Sequence, residues 1–169
     1  MTSHARHLML VLGSCAAALG APARAVTQSA TVNAQVVKPL TLTAVQGLNL
    51  GTITLGSGSW SGATVGISRG GVFTCSIKVT CAGTQQVAQF SVSGTNKMVV
   101  LVSAPNVTLV NQNNPAQTLS LIVDSTAQVA LPNSGQQGVS FNIGGSVTLS
   151  STTAGGTYRG TINVTVNYQ

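Results

Sequence analysis

From Tyr158 to Tyr168 the side chains alternate strictly. Tyr158, Gly160, Ile162, Val164, Val166 and Tyr168 fall on one side of an extended chain, and Arg159, Thr161, Asn163, Thr165 and Asn167 on the other. A period of two belongs to a β-strand with one apolar and one polar face, not to a helix. Counted from Thr157, the run of 12 residues spans roughly 40 Å at about 3.3 Å per residue, about twice an ordinary strand. Such a strand is expected to cross a whole domain, and it needs partners on both edges unless it lies at a sheet rim. No sequence follows Gln169 to supply one. The second neighbour is therefore expected from earlier in the chain or from another molecule.

The rest of the chain reads the same way. Val, Thr, Ser, Asn, Gln and Gly dominate, while only 5% of residues are charged. Glu and Lys, which favour helices, are scarce, and β-branched residues that suit a pleated surface are common. Short apolar runs separated by turn residues predict about eight to ten strands. They are expected near residues 30–36 resuming at 40–44 after Pro39, then 47–55, 64–68, 72–80, 86–93, 98–103, 107–110, 118–124, 138–149 and, as one strand, 158–168. Gly70-Gly71, Ala82-Gly83, Gly94, Pro105, residues 111–115, Pro132 to Gly135 and Gly155-Gly156 divide them. Gly144-Gly145, inside a strand-like segment, is expected to mark a bulge or bend. The expected fold is all-β, an immunoglobulin-like antiparallel β-sandwich, either complete in itself or left open for a donor strand.

The first 25 residues read as an export signal: Arg6 with His4 and His7 is basic, Leu8 to Leu19 is apolar, and Ala23-Arg24-Ala25 is a small-residue cleavage site. The apolar run is too short to span a bilayer core, which needs about 20 residues. Residues 26–169 then form one domain, with 26–38 a candidate donor or first strand, and no membrane span remains after cleavage. This mature chain keeps five cations, Lys38, Arg69, Lys78, Lys97 and Arg159, against the single acid Asp124, a net charge of +4. The cations are scattered along the sequence, so no phosphate-tracking stripe is expected and nucleic acid is not an expected partner.

The inventory for chemistry is nearly empty. Both histidines lie in the leader, glutamate is absent, and Asp124 is the lone carboxylate. Acid–base pairs, a Ser-His-Asp triad and paired carboxylates cannot be assembled. Two cysteines and one aspartate cannot close a zinc site within one subunit. No catalytic, cofactor-binding or metal-binding residue is expected, and Asp124 reads as a turn or edge residue. Cys75 and Cys81 are expected to form a disulfide in an exported chain, which requires the chain to turn between them: six extended residues would separate their Cα atoms by about 20 Å, against roughly 4.4–6.8 Å for a bridge. Trp60, in the Gly and Ser loop of residues 56–62, is either a buried loop anchor or an exposed contact for a partner or carbohydrate.

A second apolar stripe lies near the other end, where Ala30, Val32, Ala34 and Val36 alternate with polar residues up to Lys38 and Pro39. This stripe matches the groove expected beside the terminal strand. The ending Gly156-Thr157-Tyr158, Gly160 and the alternation to Tyr168 resembles the C-terminal strand of spore coat U type pilins, the archaic chaperone–usher class. It is closer still to a family of small secreted bacterial domains of unknown function. Leu48 to Ile53, Phe90 to Gly94 and Phe141 to Leu149 extend the similarity over most of the mature chain, although those pilins carry an early cysteine and the region around Lys38 has none. The resemblance implies a structural subunit of a cell-surface fimbria or pilus, assembled by donor-strand exchange with copies of itself. It further implies a periplasmic chaperone and an outer-membrane usher as partners, and passage through the periplasm to the cell surface or fimbrium. The other expectation is a monomeric secreted or surface β-sandwich that binds a ligand through its loops. The exported protein is expected to begin at Val26; intact-mass measurement checks this, and a lipid-modified species beginning at Cys15 would overturn it.

Overall fold

The computed structural model describes residues 25–133 and 138–169. The leader, most of its cleavage site, and Ser134 and Gly135 of one turn lie outside the described residues. The described residues divide into two units. The first, up to Gln35, is exposed and carries no strand. The second, Val36–Gln169, holds every strand.

Thirteen strands and no helix occur among the described residues. The first five are β1 (Thr41–Gln46), β2 (Thr52–Leu55), β3 (Ala63–Ile67), β4 (Phe73–Cys75) and β5 (Val79–Ala82). The middle four are β6 (Ala88–Ser93), β7 (Met98–Ser103), β8 (Val107–Asn111) and β9 (Thr118–Asp124). Then come β10 (Gln128–Leu131), β11 (Val139–Leu149), β12 (Tyr158–Arg159) and β13 (Thr165–Tyr168). All pairings are antiparallel.

The long strand β11 organises the first layer. Its first half pairs with β6, which pairs in turn with β1. Its second half lies between β3 and β9, and the sheet continues through β8 to β12 on one side and to β4 on the other. The change of partners falls at Gly144-Gly145, where the bend was expected. A Cβ on Gly144 would strike the Ile67 carbonyl oxygen and the Arg69 nitrogen, and one on Gly145 would crowd Leu121. Gly144 is needed because backbone, not a yielding side chain, occupies the space a side chain would take there.

The second layer consists of two separate ribbons, β10-β7-β13 and β2-β5. The first ribbon closes one core with β6 and β11: Val100, Val102, Val129 and Leu131 meet Phe90, Val92, Phe141 and Ile143. The second ribbon closes another, in which Val79, Ile53 and Leu55 meet Ala63, Val65, Leu121 and Val147. The result is an all-β antiparallel sandwich, as the alternation predicted.

Three expectations change. Residues 30–36 form no strand. Residues 72–80 form two strands rather than one: a turn closed by the Val79 N–H on the Ser76 carbonyl (3.1 Å) carries the chain from β4 in one layer to β5 in the other. The terminal run is not one strand. Tyr158 and Arg159 pair with β8 in the first layer, Thr165 to Tyr168 pair with β7 in the second, and residues 160–164 between them carry no strand. Strand β10 was not foreseen, since four residues between Pro-, Ser- and Asn-rich segments carry little periodicity. Gly144→Val is expected to destabilise the fold by about 3 kcal/mol through overpacking, read as a lowered denaturation midpoint with an unchanged slope.

Candidate functional site

The two ribbons of the second layer leave a vacant position between them. Among the described residues β2 pairs only with β5, and β13 only with β7, so each presents a free edge. Between β2 and the run leading into β13 lies a groove of 1130 Å³. Its floor is the inner face of the first sheet, including Leu109, Leu119, Leu121 and Val147. One wall is the segment from Ala44 to Leu55, and the other runs from Thr153 to Ile162. Leu48, Leu50, Ile53, Leu55, Leu109, Leu119 and Ile162 are only half-buried. Apolar side chains of that size normally lose most of their surface to water exclusion, at about 25 cal/mol per Å². Here part of that burial is left unmade.

The walls are held in place by hydrogen bonds. On the first wall, Asn49 and Gln86 exchange two backbone bonds of 2.9 Å, and the Gln86 amide donates to the Gly47 carbonyl at 3.1 Å. On the second, Asn111 is the buried polar side chain of the described core, 1% exposed. Its Nδ2 donates to the Gly155 carbonyl at 3.0 Å, its Oδ1 accepts from the Asn113 N–H at 2.9 Å, and the neighbouring Gln112 N–H reaches the Thr157 carbonyl at 2.8 Å. Gly156, with φ of 147°, lies against the Asn111 amide where no Cβ fits. The Tyr158 hydroxyl donates to the Ala154 carbonyl at 2.8 Å. Gly160 sits so close to Val107 and Leu109 that a Cβ would come within 2.8 Å of both side chains. The glycine at this position in the alternation is therefore a packing requirement.

At its far end the terminal run is tied to the start of the domain. The Tyr168 hydroxyl accepts from the Thr95 N–H and donates to the Lys38 carbonyl, both at 2.7 Å, while the Lys38 N–H donates to Thr95 Oγ1 at 2.6 Å. Leu40, Leu42 and Tyr168 pack together on the first core. The groove lining on this run ends at Ile162, and the backbone of Lys38 is tied down at the Tyr168 end.

Cys75 and Cys81 form a disulfide with Cα atoms 6.3 Å apart, stapling the corner between the layers. Trp60 is half-buried against the second core, its Nε1 donating to the Gly56 carbonyl at 3.0 Å, which is the loop-anchor arrangement. Asp124 holds the β3–β4 turn: its Oδ2 accepts from the Arg69 N–H at 2.8 Å and its Oδ1 from Arg69 Nη1 at 3.1 Å. With side chains 54% and 41% exposed, that ion pair contributes at most about 1 kcal/mol. Of the donor candidates, Ala30 and Ala34 are exposed, and Val32 and Val36 are 89% and 90% exposed. Tyr158, Ile162, Val164, Val166 and Tyr168 are half-buried, as an apolar face covered on one side only would be. Asn111 and the leucines of the floor were not singled out from sequence, since Asn in a polar tract and Leu in a strand carry no positional signal there. Among the described residues no three His, Cys, Asp or Glu side chains converge on a metal site.

Residues 40–168 match the model of a family described as Domain of unknown function (DUF4402). No curated protein and no solved structure matches the chain. The matched span starts one residue before β1 and closes with β13, so it covers the sandwich and not the exposed segment before it. Asn111→Ala is expected to destabilise the domain by about 2 kcal/mol, because the Gly155 carbonyl and Asn113 N–H lose their buried partner. Chemical denaturation reads the loss, and amide exchange at Gln112 should rise with it.

Proposed function

The chain belongs to the Domain of unknown function (DUF4402) family, a description that assigns no activity, and from its own surfaces we propose that it is a structural subunit of a cell-surface fibre assembled by donor-strand exchange. The observation that carries this reading is the vacant strand position between β2 and the terminal run. A groove of 1130 Å³ exceeds the roughly 300–1,000 Å³ of ordinary small-molecule sites. It is flanked by the free edge of β2 on one side and by the terminal run from Tyr158 to Ile162 on the other, and floored by apolar side chains, which suits an added β-strand: main-chain groups beside it and alternate apolar side chains below.

The occupant is the arm of another copy, residues 26–37, with Ala30, Val32, Ala34 and Val36 turned to the floor. Small side chains suit a floor already filled by leucines. Because Lys38 is tied down at the Tyr168 end and the groove lies beside the Tyr158 to Ile162 part of the run, insertion of the arm into another copy sets the Lys38 end of one subunit against the groove of the next. That contact is head-to-tail and need not close, so it builds a fibre. Before assembly, the same groove suits a periplasmic chaperone, and delivery through an outer-membrane usher follows from the pilin resemblance. The disulfide fits an oxidising compartment. Residues for catalysis are lacking in the mature sequence, and the reading is of a non-enzymatic protein whose partners are strands rather than nucleic acid.

The test is an unboiled gel of the protein exported with its own secretion genes. A ladder that collapses to one band on boiling is expected for the unmutated chain. Val32→Asp and Val36→Asp should abolish it, since a charge in the groove costs on the order of several kcal/mol. Both residues are about nine-tenths exposed in the subunit, so its own stability should change by less than about 0.5 kcal/mol. Monomer alone in the unmutated chain would leave a self-complemented sandwich, a surface binding module, instead.

A further inference from the structure

We propose that Tyr168 and Thr95 form a clamp that fixes where the arm leaves the domain, and thereby selects a second copy, rather than the chain's own groove, as the acceptor. This inference rests on the strand-exchange reading and adds to it the residues that direct it. Three bonds close the clamp around Lys38: Thr95 N–H to the Tyr168 hydroxyl at 2.7 Å, that hydroxyl to the Lys38 carbonyl at 2.7 Å, and Lys38 N–H to Thr95 Oγ1 at 2.6 Å. Gly94 makes the approach possible, because a Cβ there would strike the Tyr168 hydroxyl and lie 2.8 Å from Leu40. Both backbone groups of Lys38 are thereby used, and the chain before it is held at one pole.

The consequence is one of reach. On the terminal run the groove lining ends at Ile162. From there to Tyr168 is six residues, about 20 Å of extended chain. An arm clamped at Lys38 and turned back on its own domain spends residues 37 to 32 on that distance. Of the four stripe residues only Val32, at the edge of the lining, and Ala30 would arrive. An arm inserted into a second copy delivers all four. With the clamp open, residues 38–40 can peel away, which adds about 10 Å of reach. Ala30, Val32 and Ala34 then arrive at the chain's own groove, and self-complementation competes with assembly.

The experiment compares the exported unmutated chain with Tyr168→Phe and Thr95→Val, using the unboiled ladder and the binding of a fluorescent peptide of residues 26–38. The unmutated chain should give a long ladder. Each variant should lose most of it, at least five-fold, in favour of monomer that no longer takes up the peptide because its own arm fills the groove. Thr95→Val leaves the Tyr168 ring and the core in place, so it decides the matter if Tyr168→Phe melts early. Unchanged ladders in both variants overturn the clamp while strand exchange stands. Monomeric variants that still bind the peptide also overturn it. An unmutated chain with neither ladder nor peptide binding overturns the exchange reading and the clamp together.

Discussion

A β-sandwich is stable when its two layers cover each other, and here the second layer is split into two ribbons, with an apolar groove between β2 and the terminal run. Two kinds of group are left short at that position. The outer edge of β2 has no ladder partner among the described residues, and Leu109 and Leu119 beneath are only half-buried. Only one kind of object repairs both at once, an extended segment with main-chain groups at its sides and apolar side chains on one face. The functional reading follows from that joint deficit. A cavity short of apolar cover alone would suit many ligands.

The groove stays open because the frame around it is rigid by construction. The first sheet is continuous from β1 to β12 through the single long strand β11, whose Gly144-Gly145 lets β3 approach closely enough to share it with β6 and β9. The terminal run cannot settle into the vacancy, because it is secured at both ends. Asn111 and the bonds to Gly155 and Thr157 hold its start in the first layer, while Tyr168 holds its end against Thr95 and Lys38. Across the vacancy, the Cys75–Cys81 staple and the Asn49–Gln86 bridge hold the β2-β5 ribbon, which as an isolated two-stranded element would be marginal.

Charge has little part in this arrangement. The one ion pair among the described residues, Arg69 with Asp124, ties a turn at the surface. Specific geometry comes instead from amide and hydroxyl groups, of which Asn111 and Tyr168 are the clearest cases.

The sequence by itself determined the fold class, because alternation of apolar and polar residues with Gly and Asn breaks has no helical solution. It also determined the disulfide, through two cysteines isolated in an oxidisable chain, and most strand positions, with Met98–Ser103 and Thr118–Asp124 appearing as expected. Residue pattern is local, so it carried those features well. Tertiary structure alone decided which edges remain unpaired. The period from Tyr158 to Tyr168 predicts an extended chain but not that its two ends join different sheets, since ladder partners are chosen by distant segments. The groove floor was hidden for the same reason: Leu109 and Leu119 read as ordinary strand residues, and only the split second layer leaves them half-buried. Asn111 gave no signal because burial, not residue type, turns its amide into an anchor.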